Sequence, residues 1–299
     1  ARADRLVEPV GYAAGLFALF GIDTPAGADL PTAAVCFLAD TGEAPAGFVL
    51  HADPLHLLPD LDRLLAFDLD DDPLDGDEIA QLVEAFNTHF SDDGVRLYGS
   101  RSGHIYLHCD QAPSVQTHPL SAVIGRSLDL YLADGEDRRW WRGLLNETQM
   151  LCHALDLNRE REARGRPTLG GRWFSGGGRL PLKGQGPVGQ LVGDGVLPRG
   201  LLVLRAGMGA DELIIEPAAG RAVMRADPGA WLQALADLED RMPGLQRDCE
   251  ELHVHPANGT VYRWSARSAR RLWRRKRPLF ECLDANPAVP RGPHGNKGV

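Results

Sequence analysis

The chain lacks the marks of several large protein classes. It has no Cys-x-x-Cys pair, and its five cysteines (Cys36, Cys109, Cys152, Cys249 and Cys282) are scattered and odd in number. Neither a zinc site nor a disulfide framework is signalled, and a reduced cytoplasmic setting is the simplest reading. No apolar run approaches the roughly 18 residues needed to span a bilayer. Basic excess is also missing: the net charge is −9, which argues against generic nucleic-acid binding. Residues 1–22 combine a basic start with an apolar stretch, but Glu8 and Pro9 come first and no small-x-small cleavage pattern follows. Tyr12, Leu16, Phe17, Leu19 and Phe20 suit a buried amphipathic helix better than a signal peptide.

Familiar catalytic motifs are absent too. There is no Gly-Lys-Ser/Thr phosphate loop, no His-Glu-x-x-His, no Gly-x-Ser-x-Gly and no Ser-x-x-Lys. Ser175 has no base identifiable in the sequence, so no nucleophile is named. A hydrophobic content of 43% over 299 residues is enough for a proper core. The length allows a single mixed α/β domain over 1–285, either undivided or in two lobes parting near 180–200, with a disordered Pro/Gly-rich tail over 286–299.

What is present is a pattern of alternating elements. Residues 33–38 (AAVCFL) read as a buried strand, and 47–50 as a second. An acidic loop region with two histidines follows. Asp77 caps a helix over 78–90 whose stripe is Ile79, Leu82, Val83, Phe86 and Phe90; Asp75, Asp77 and Glu78 favour its dipole. Residues 95–98 and 104–109 form a hairpin that places His104, Tyr106 and His108 on one face. A long helix from about Trp140 carries Trp141, Leu144, Leu145, Thr148, Leu151, Cys152 and Leu155 on one side. Asn146, Gln149, His153, Asp156 and Glu160 lie on another, until Gly165 and Pro167 stop it. Residues 173–179 then read as a glycine-rich turn, and 200–204 and 213–215 as strands. Asp227-Pro228 opens a helix with Trp231, Leu235 and Leu238 on its buried side. Residues 252–255 and 260–264 flank Asn258-Gly259 as a hairpin. A basic helix over 267–277 closes the ordered part. The result is an α/β chain with a mixed sheet flanked by helices.

Three constellations carry chemistry. Asp53, His56, Asp60 and Asp62 with Arg63, followed by Asp68 to Asp72, are ligand types suited to Mn or Mg; a solvated acidic loop is the competing reading. His104/His108 and His253/His255 have strand-face spacing that suits metal ligation or plain exposure. Arg267, Arg270, Arg271, Arg274, Arg275, Lys276 and Arg277 offer a surface for an acidic protein partner, or for the chain's own residues 68–72.

The run WRGLLNETQMLCHALDLNREREARGRPTLGGRWFSGGGRLP, with HADPLHLLPDLDRLLAF upstream, resembles the bacterial RpfE-type regulatory proteins. These are distantly similar to archaeal-type cofactor-independent phosphoglycerate mutases, whose Arg, Gly-x-Pro and Trp-Gly-x-Gly outline Arg164-Gly165-Arg166-Pro167 and residues 173–178 match. The resemblance covers about residues 30–180. It implies a fold resembling part of the alkaline-phosphatase-like mutase fold. Those mutases carry an N-terminal Asp-Gly metal motif, a Ser or Thr nucleophile and a late His-x-x-x-Asp/Glu-x-x-His group, and none of these is found here. The resemblance therefore implies a pocket for a small phosphorylated or carboxylate ligand, with His56, Asp62 and Arg63 meeting Asn146, His153, Arg159 and Trp173, Gly176, Gly177, Gly178 and Arg179. No cofactor is expected; Mn or Mg enters only with the alternative of an active mutase or phosphatase. A second alternative is a regulatory module that meets a protein partner through 267–277. Membrane and nucleic-acid partners are not expected.

Overall fold

The computed structural model describes residues 4–23, 28–61 and 63–269. In chain order the elements are β1 (Asp4–Val10), α1 (Tyr12–Leu19), α2 (Thr32–Thr41), β2 (Phe48–Asp60), β3 (Arg63–Phe67), α3 (Gly76–His89), β4 (Val95–Gly99), β5 (Ile105–Cys109), β6 (Val115–Gln116) and α4 (Leu120–Val123). A 3-10 turn at Leu128–Tyr131 leads to β7 (Asp134–Gly135), α5 (Arg138–Ala154), α6 (Asp156–Ala163), β8 (Gly171–Gly178), β9 (Val188–Val192), α7 (Val196–Val203) and β10 (Asp211–Ile214). The chain closes with α8 (Ala218–Met224), α9 (Pro228–Asp248), β11 (Glu251–Val254), β12 (Asn258–Ser265) and α10 (Ala266–Ala269). The fold is mixed α/β, with mainly antiparallel sheets flanked by helices. No helix among the described residues is long and apolar enough to cross a membrane.

The described residues fall into two compact units, one from 19–232 and one from 1–18 with 233–269. In the latter, β1 and β11 flank β12 in an antiparallel sheet. The expected Asn258-Gly259 turn is displaced. Asn258 already belongs to β12 and pairs with Val10, and the connection runs through 255–257 with Ala257 at φ 60°. The reason is competition: β1 needs the residues that a two-residue hairpin would spend on its turn. On α9, Trp231 and Leu235 are exposed rather than buried, because nothing among the described residues covers that side fully. Of the basic run, residues from 270 onward lie outside the described residues, as does the tail.

The larger unit is organised around β3, β2, β5, β4 and β8. β2 pairs with β5 over Phe48–His51, with β8 from Val49 to Leu55, and with β3 over the last residues, His56 to Asp60. Residues 51–62, read as a loop, are thus mostly strand. The prolines misled that reading, since a proline cannot donate to a ladder. Pro54 pairs only with Arg172 and Pro59 only with Leu64, so each sits where β2 has one neighbour. α3 and α5 cover one sheet face over Leu50, Ala52, Leu82, Phe86, Leu107, Trp141 and Phe174. α2 covers the other over Val49 and Tyr106, with Ala33, Ala34 and Phe37.

α2 and α7 replace the strands expected at 33–38 and 200–204. Residues 33–38 are all buried, so the run shows no periodicity, and a continuous apolar run does not separate strand from helix. Gly42 ends α2 in the left-handed region at φ 76°, its N–H donating to the Leu38 carbonyl. A Cβ on Gly200 would lie 2.2 Å from the Val35 carbonyl oxygen, so glycine lets α7 lie directly on α2.

α3 matches its expectation closely. Asp75, rather than Asp77, is the N-cap: its carboxylate accepts from the Asp77 and Glu78 N–H groups, and Glu78 accepts from the Asp75 N–H. The long helix, by contrast, breaks. Leu155 is extended between α5 and α6. Asn158 explains the break: its amide donates to the carbonyls of Cys152 and Leu169 and accepts from the Leu169 N–H, folding the chain back toward β8. Gln81 of α3 accepts from the Leu157 N–H, serving as a cap from another element.

Arg161 fastens this corner. Its side chain is fully buried, and it donates to Glu78 at 2.8 Å, to the Asp72 carbonyl at 2.7 Å and carboxylate at 3.1 Å, and to the Pro167 carbonyl at 2.6 Å. Arg166 forks onto the same Asp72. Replacing Arg161 by Leu leaves the half-buried Glu78 with only its longer pair to Arg166, at 3.4 Å, and leaves two carbonyls without their donor. We expect a loss of about 3–5 kcal/mol in urea unfolding; a change under about 1 kcal/mol would show that the pair is solvated like a surface bridge.

Candidate functional site

A cleft of about 1110 Å³ opens beside the end of β8. Gly177, Gly178 and Arg179 form one wall, and Phe48 and Leu50 of β2 lie on it. Pro31, just before α2, and Asp29 add another side. The β6–β7 ribbon, with Glu136 and Arg138, faces them, and Lys183 stands at the rim. Its lining combines apolar side chains, Phe48, Leu50, Val115 and Leu182, with the charged Asp23, Asp29, Asp134, Glu136, Arg138, Arg179 and Lys183, as small-molecule sites do.

The glycine run is extended strand, not a turn. Its glycines are there for close approach. A Cβ on Gly177 would lie 2.8 Å from the Phe48 ring, and one on Gly178 2.4 Å from Pro31. Gly176 has φ 63° and marks a shift of register between Val49 and His51, as a bulge does. The run therefore seats β8 against the start of α2 and carries Arg179 out to the cleft.

The other sequence-expected site residues lie elsewhere. The His56 ring donates from Nδ1 to the Thr168 carbonyl at 2.8 Å, tying down the loop before β8. Arg63 is exposed on β3, paired in register with Asp60. Asn146 and His153 are exposed on α5, and Arg159 is exposed on α6 beside Asp156 at 3.0 Å. Trp173 is buried, donating from its indole to the His118 carbonyl. Asp62 lies outside the described residues. Of the set, only Gly177, Gly178 and Arg179 line the cleft. Asp29, Thr117, Arg138 and Lys183 also line it and were missed. Asp29, Thr117 and Lys183 come from loops and Arg138 is the first residue of α5, places where no periodicity singles a residue out. Asp29 accepts from both the N–H and the hydroxyl of Thr117. Its burial outweighs those bonds and raises its carboxyl above the ordinary range.

The acidic residues after β3 are largely committed. Asp72 serves Arg161 and Arg166, and Asp71 pairs with Arg225 at 2.8 Å. No group of three or more His, Cys, Asp or Glu among the described residues is placed to hold a metal ion. His253 and His255 sit with rings 6.2 Å apart, and Glu251 lies 3.6 Å from His253.

A polar cluster lies between the sheet and α2. Asp40, with its side chain 1% exposed, accepts from the Tyr106 hydroxyl at 2.7 Å and from His104 Nδ1 at 2.8 Å. Burial works against its ionisation, but the bonds from Tyr106, Ser102 and His104 hold it below the usual carboxylate range. His51 contacts the Thr32 hydroxyl at 3.2 Å, and burial lowers its pKa to about 4. Asp53 is pushed up to about 6 by burial, with His104 and Arg172 pulling it back. Outside this cluster, Arg172 on β8, with Cys152 of α5 as its main ionisable neighbour, is 2% exposed; it donates to the Ala52 carbonyl while Nε and Nη2 find no partner. Burial lowers its pKa to about 10, so it stays charged at neutral pH. The buried thiols are held in the protonated form, Cys109 raised to about 12 and Cys152 to about 11 by burial.

The opposed shifts of Asp53 and His51 fix a pH dependence. An unfolded Asp53 ionises from about pH 4, whereas the folded one waits until about 6, so its contribution to stability falls across that window and stays lost above it. His51 runs the other way: stability is lost as pH falls from the ordinary histidine range through about 4, because only the unfolded ring takes a proton there. Asp53→Asn should therefore stabilise the protein at about pH 8 by on the order of 1–3 kcal/mol, the gain vanishing near pH 4. Urea unfolding across this range measures it, and a gain independent of pH would contradict the assignment.

No family model matches the chain, and no curated protein matches it. Among solved structures it is similar to a cofactor-independent phosphoglycerate mutase from Thermoplasma acidophilum DSM 1728, at 12% identity and a TM-score of 0.39 over 89% of this chain and 80% of that one. It is also similar to the PH0037 protein from Pyrococcus horikoshii, at 13% identity and a TM-score of 0.43 over 87% and 75% of the two chains.

Proposed function

We propose that the chain is an RpfE-type relative of the cofactor-independent phosphoglycerate mutases and binds a small phosphorylated or carboxylate ligand in the cleft at the end of β8. On this reading it does so without a two-metal catalytic centre. The observation that carries the proposal is the destination of the glycine strand: the segment that bears the resemblance brings Gly177, Gly178 and Arg179 to the cleft, which Arg138 and Lys183 also line. A guanidinium offers a planar fork of donors to a carboxylate or phosphate, and an ammonium adds a point charge. Arg179 and Lys183 make no ion pair among the described residues, so their charge is free for a ligand. Of the cleft's acids, Asp29 is occupied by Thr117 and shifted toward its neutral form, whereas Asp23, Asp134 and Glu136 set negative charge against these cations.

Two experiments decide it. Phosphoenolpyruvate and 3-phosphoglycerate should raise the melting temperature of the native chain. Arg179→Ala should abolish that shift while Arg96→Ala, on the exposed side of β4, keeps it. An unchanged shift in Arg179→Ala would remove the cleft from consideration. Interconversion of phosphoglycerates by the purified chain in added manganese would overturn the non-catalytic part and leave an active mutase in its place.

A further inference from the structure

We infer that the chain's own residues 270–281 cover the apolar side of α9, their basic side chains meeting the acids that border it. The inference is independent of the cleft at the end of β8 and concerns only the smaller unit, to which both segments belong.

α9 is the longest helix among the described residues, and none of its 21 residues is buried. Its sequence is nevertheless built for cover. Leu235, Leu238, Met242 and Leu245 recur at spacings of three and four and so share one side. Leu235 is exposed and the other three are half-buried. Pro243 stands inside the helix, where a proline removes a backbone bond and crowds the preceding turn. Such a helix is held by tertiary packing rather than by propensity. The rest of the unit supplies little of it: among its described residues the buried apolar side chains are Leu16, Phe17 and Val261.

Place, charge and composition name the occupant. β12 pairs with β11 so that Ser265 lies opposite Glu251, three residues beyond the end of α9. The chain thus leaves the sheet beside the carboxyl end of α9, and residues 270–281 follow directly after α10. α9 carries Asp237, Glu239, Asp240 and Asp248 against Arg241 and Arg247. Asp237 and Asp248 fall along one edge of the apolar stripe and Glu239 along the other. The following run holds Arg270, Arg271, Arg274, Arg275, Lys276 and Arg277 with no acid among them. It starts at the negative end of the α9 dipole, where cations are favoured. Leu272 and Trp273 recur seven positions on as Leu279 and Phe280, two helical turns, which gives the run apolar side chains at the period of the stripe. Residues 270–281 reach ~18 Å as helix and ~40 Å extended, against ~15 Å of stripe from Leu245 back to Leu235, so one pass covers it. A second copy of α9 brings its own excess of acids and offers no such complement.

The test uses the full chain. Zero-length carbodiimide coupling should join Lys276, the one lysine of the run, to Asp237, Glu239 or Asp248 within a single chain, as read by peptide mass spectrometry on the monomer band. Hydrogen exchange gives the second reading. Arg271→Glu, Arg274→Glu and Arg275→Glu together should speed amide exchange across 235–247 at least about tenfold while leaving α3 unchanged. Adding Asp237→Arg, Glu239→Arg and Asp248→Arg to that variant should restore the protection, because the pairs re-form with their signs exchanged. Exchange in α9 that ignores the arginine reversals, with Lys276 uncoupled from α9, would overturn the inference. Coupling found only between chains, with α9 protection that fades on dilution, would assign the stripe to a second copy and overturn it as well.

Discussion

The buried guanidinium of Arg161 is the interaction on which the geometry around the cleft depends. Its donors reach four acceptors that belong to three parts of the chain: Glu78 at the start of α3, the carbonyl and carboxylate of Asp72, and Pro167 on the way to β8. Glu78 does two things at once. It closes the capping box of α3 and neutralises Arg161, so the helix start and the return loop stand or fall together. A buried pair of this kind is not a large net source of stability compared with an apolar replacement, but it is costly to leave half-made. Its value lies in specificity. With 164–170 held by Arg161 and Arg166, the His56 ring and the Leu55 carbonyl can receive Thr168 and Gly170, and β8 enters the sheet in one register. That register puts the glycines against Pro31 and Phe48 and brings Arg179 to the cleft.

The motif NREREARGRP was legible as a stop for the long helix, but its physical job was not. Asn158, Arg161 and Arg166 are polar residues whose spacing on a helix suggests a solvated face. Asn158 is internal because the backbone of Cys152 and Leu169 satisfies its amide, and Arg161 because Asp72 and Glu78, far upstream, supply the countercharge that half-buried Arg166 also shares. The readings that held were those with a one-sided environment. The stripe Ile79, Leu82 and Phe86 faces the sheet, and the strands of the 95–109 hairpin alternate between faces. Those that failed were buried on every side, as with residues 33–38, or depended on contact with distant atoms. Three glycines in a row state that backbone must come close to something; they do not state that the something is Pro31 or Phe48. A small part of the cleft was legible in the same sense. Gly177, Gly178 and Arg179 belong to the motif, whereas Arg138, at the start of α5, and Lys183 join it only through the tertiary fold.

The cluster between the sheet and α2 shows how polarity is accommodated within a few ångströms of the core. Asp40 remains charged because three hydrogen-bonding side chains, Tyr106, Ser102 and His104, compensate its burial. Asp53 and His51 respond to the same surroundings by moving toward their neutral forms, in opposite directions. Arg172 keeps its charge with only one of its donors used. The uneven satisfaction has a geometric origin. Asp40 ends α2, where short side chains of the β4–β5 turn can reach it. Arg172 instead enters from mid-strand, where neighbours are committed to the ladder and few side-chain acceptors are within reach.

Charge is therefore sorted rather than averaged. Much of the acidic run after β3 is consumed by arginines of α6, the following loop and α8, which removes its field at short range. The arginines at the start of α5 and those beyond β8 receive no such treatment. Within a Debye length of about 8–10 Å the local set of charges outweighs the net charge of the chain, and around the cleft that set is mixed: Arg138, Arg179 and Lys183 stand beside Asp23, Asp29, Asp134 and Glu136, so the field there is set by which of these acids are otherwise engaged, as Asp29 is by Thr117.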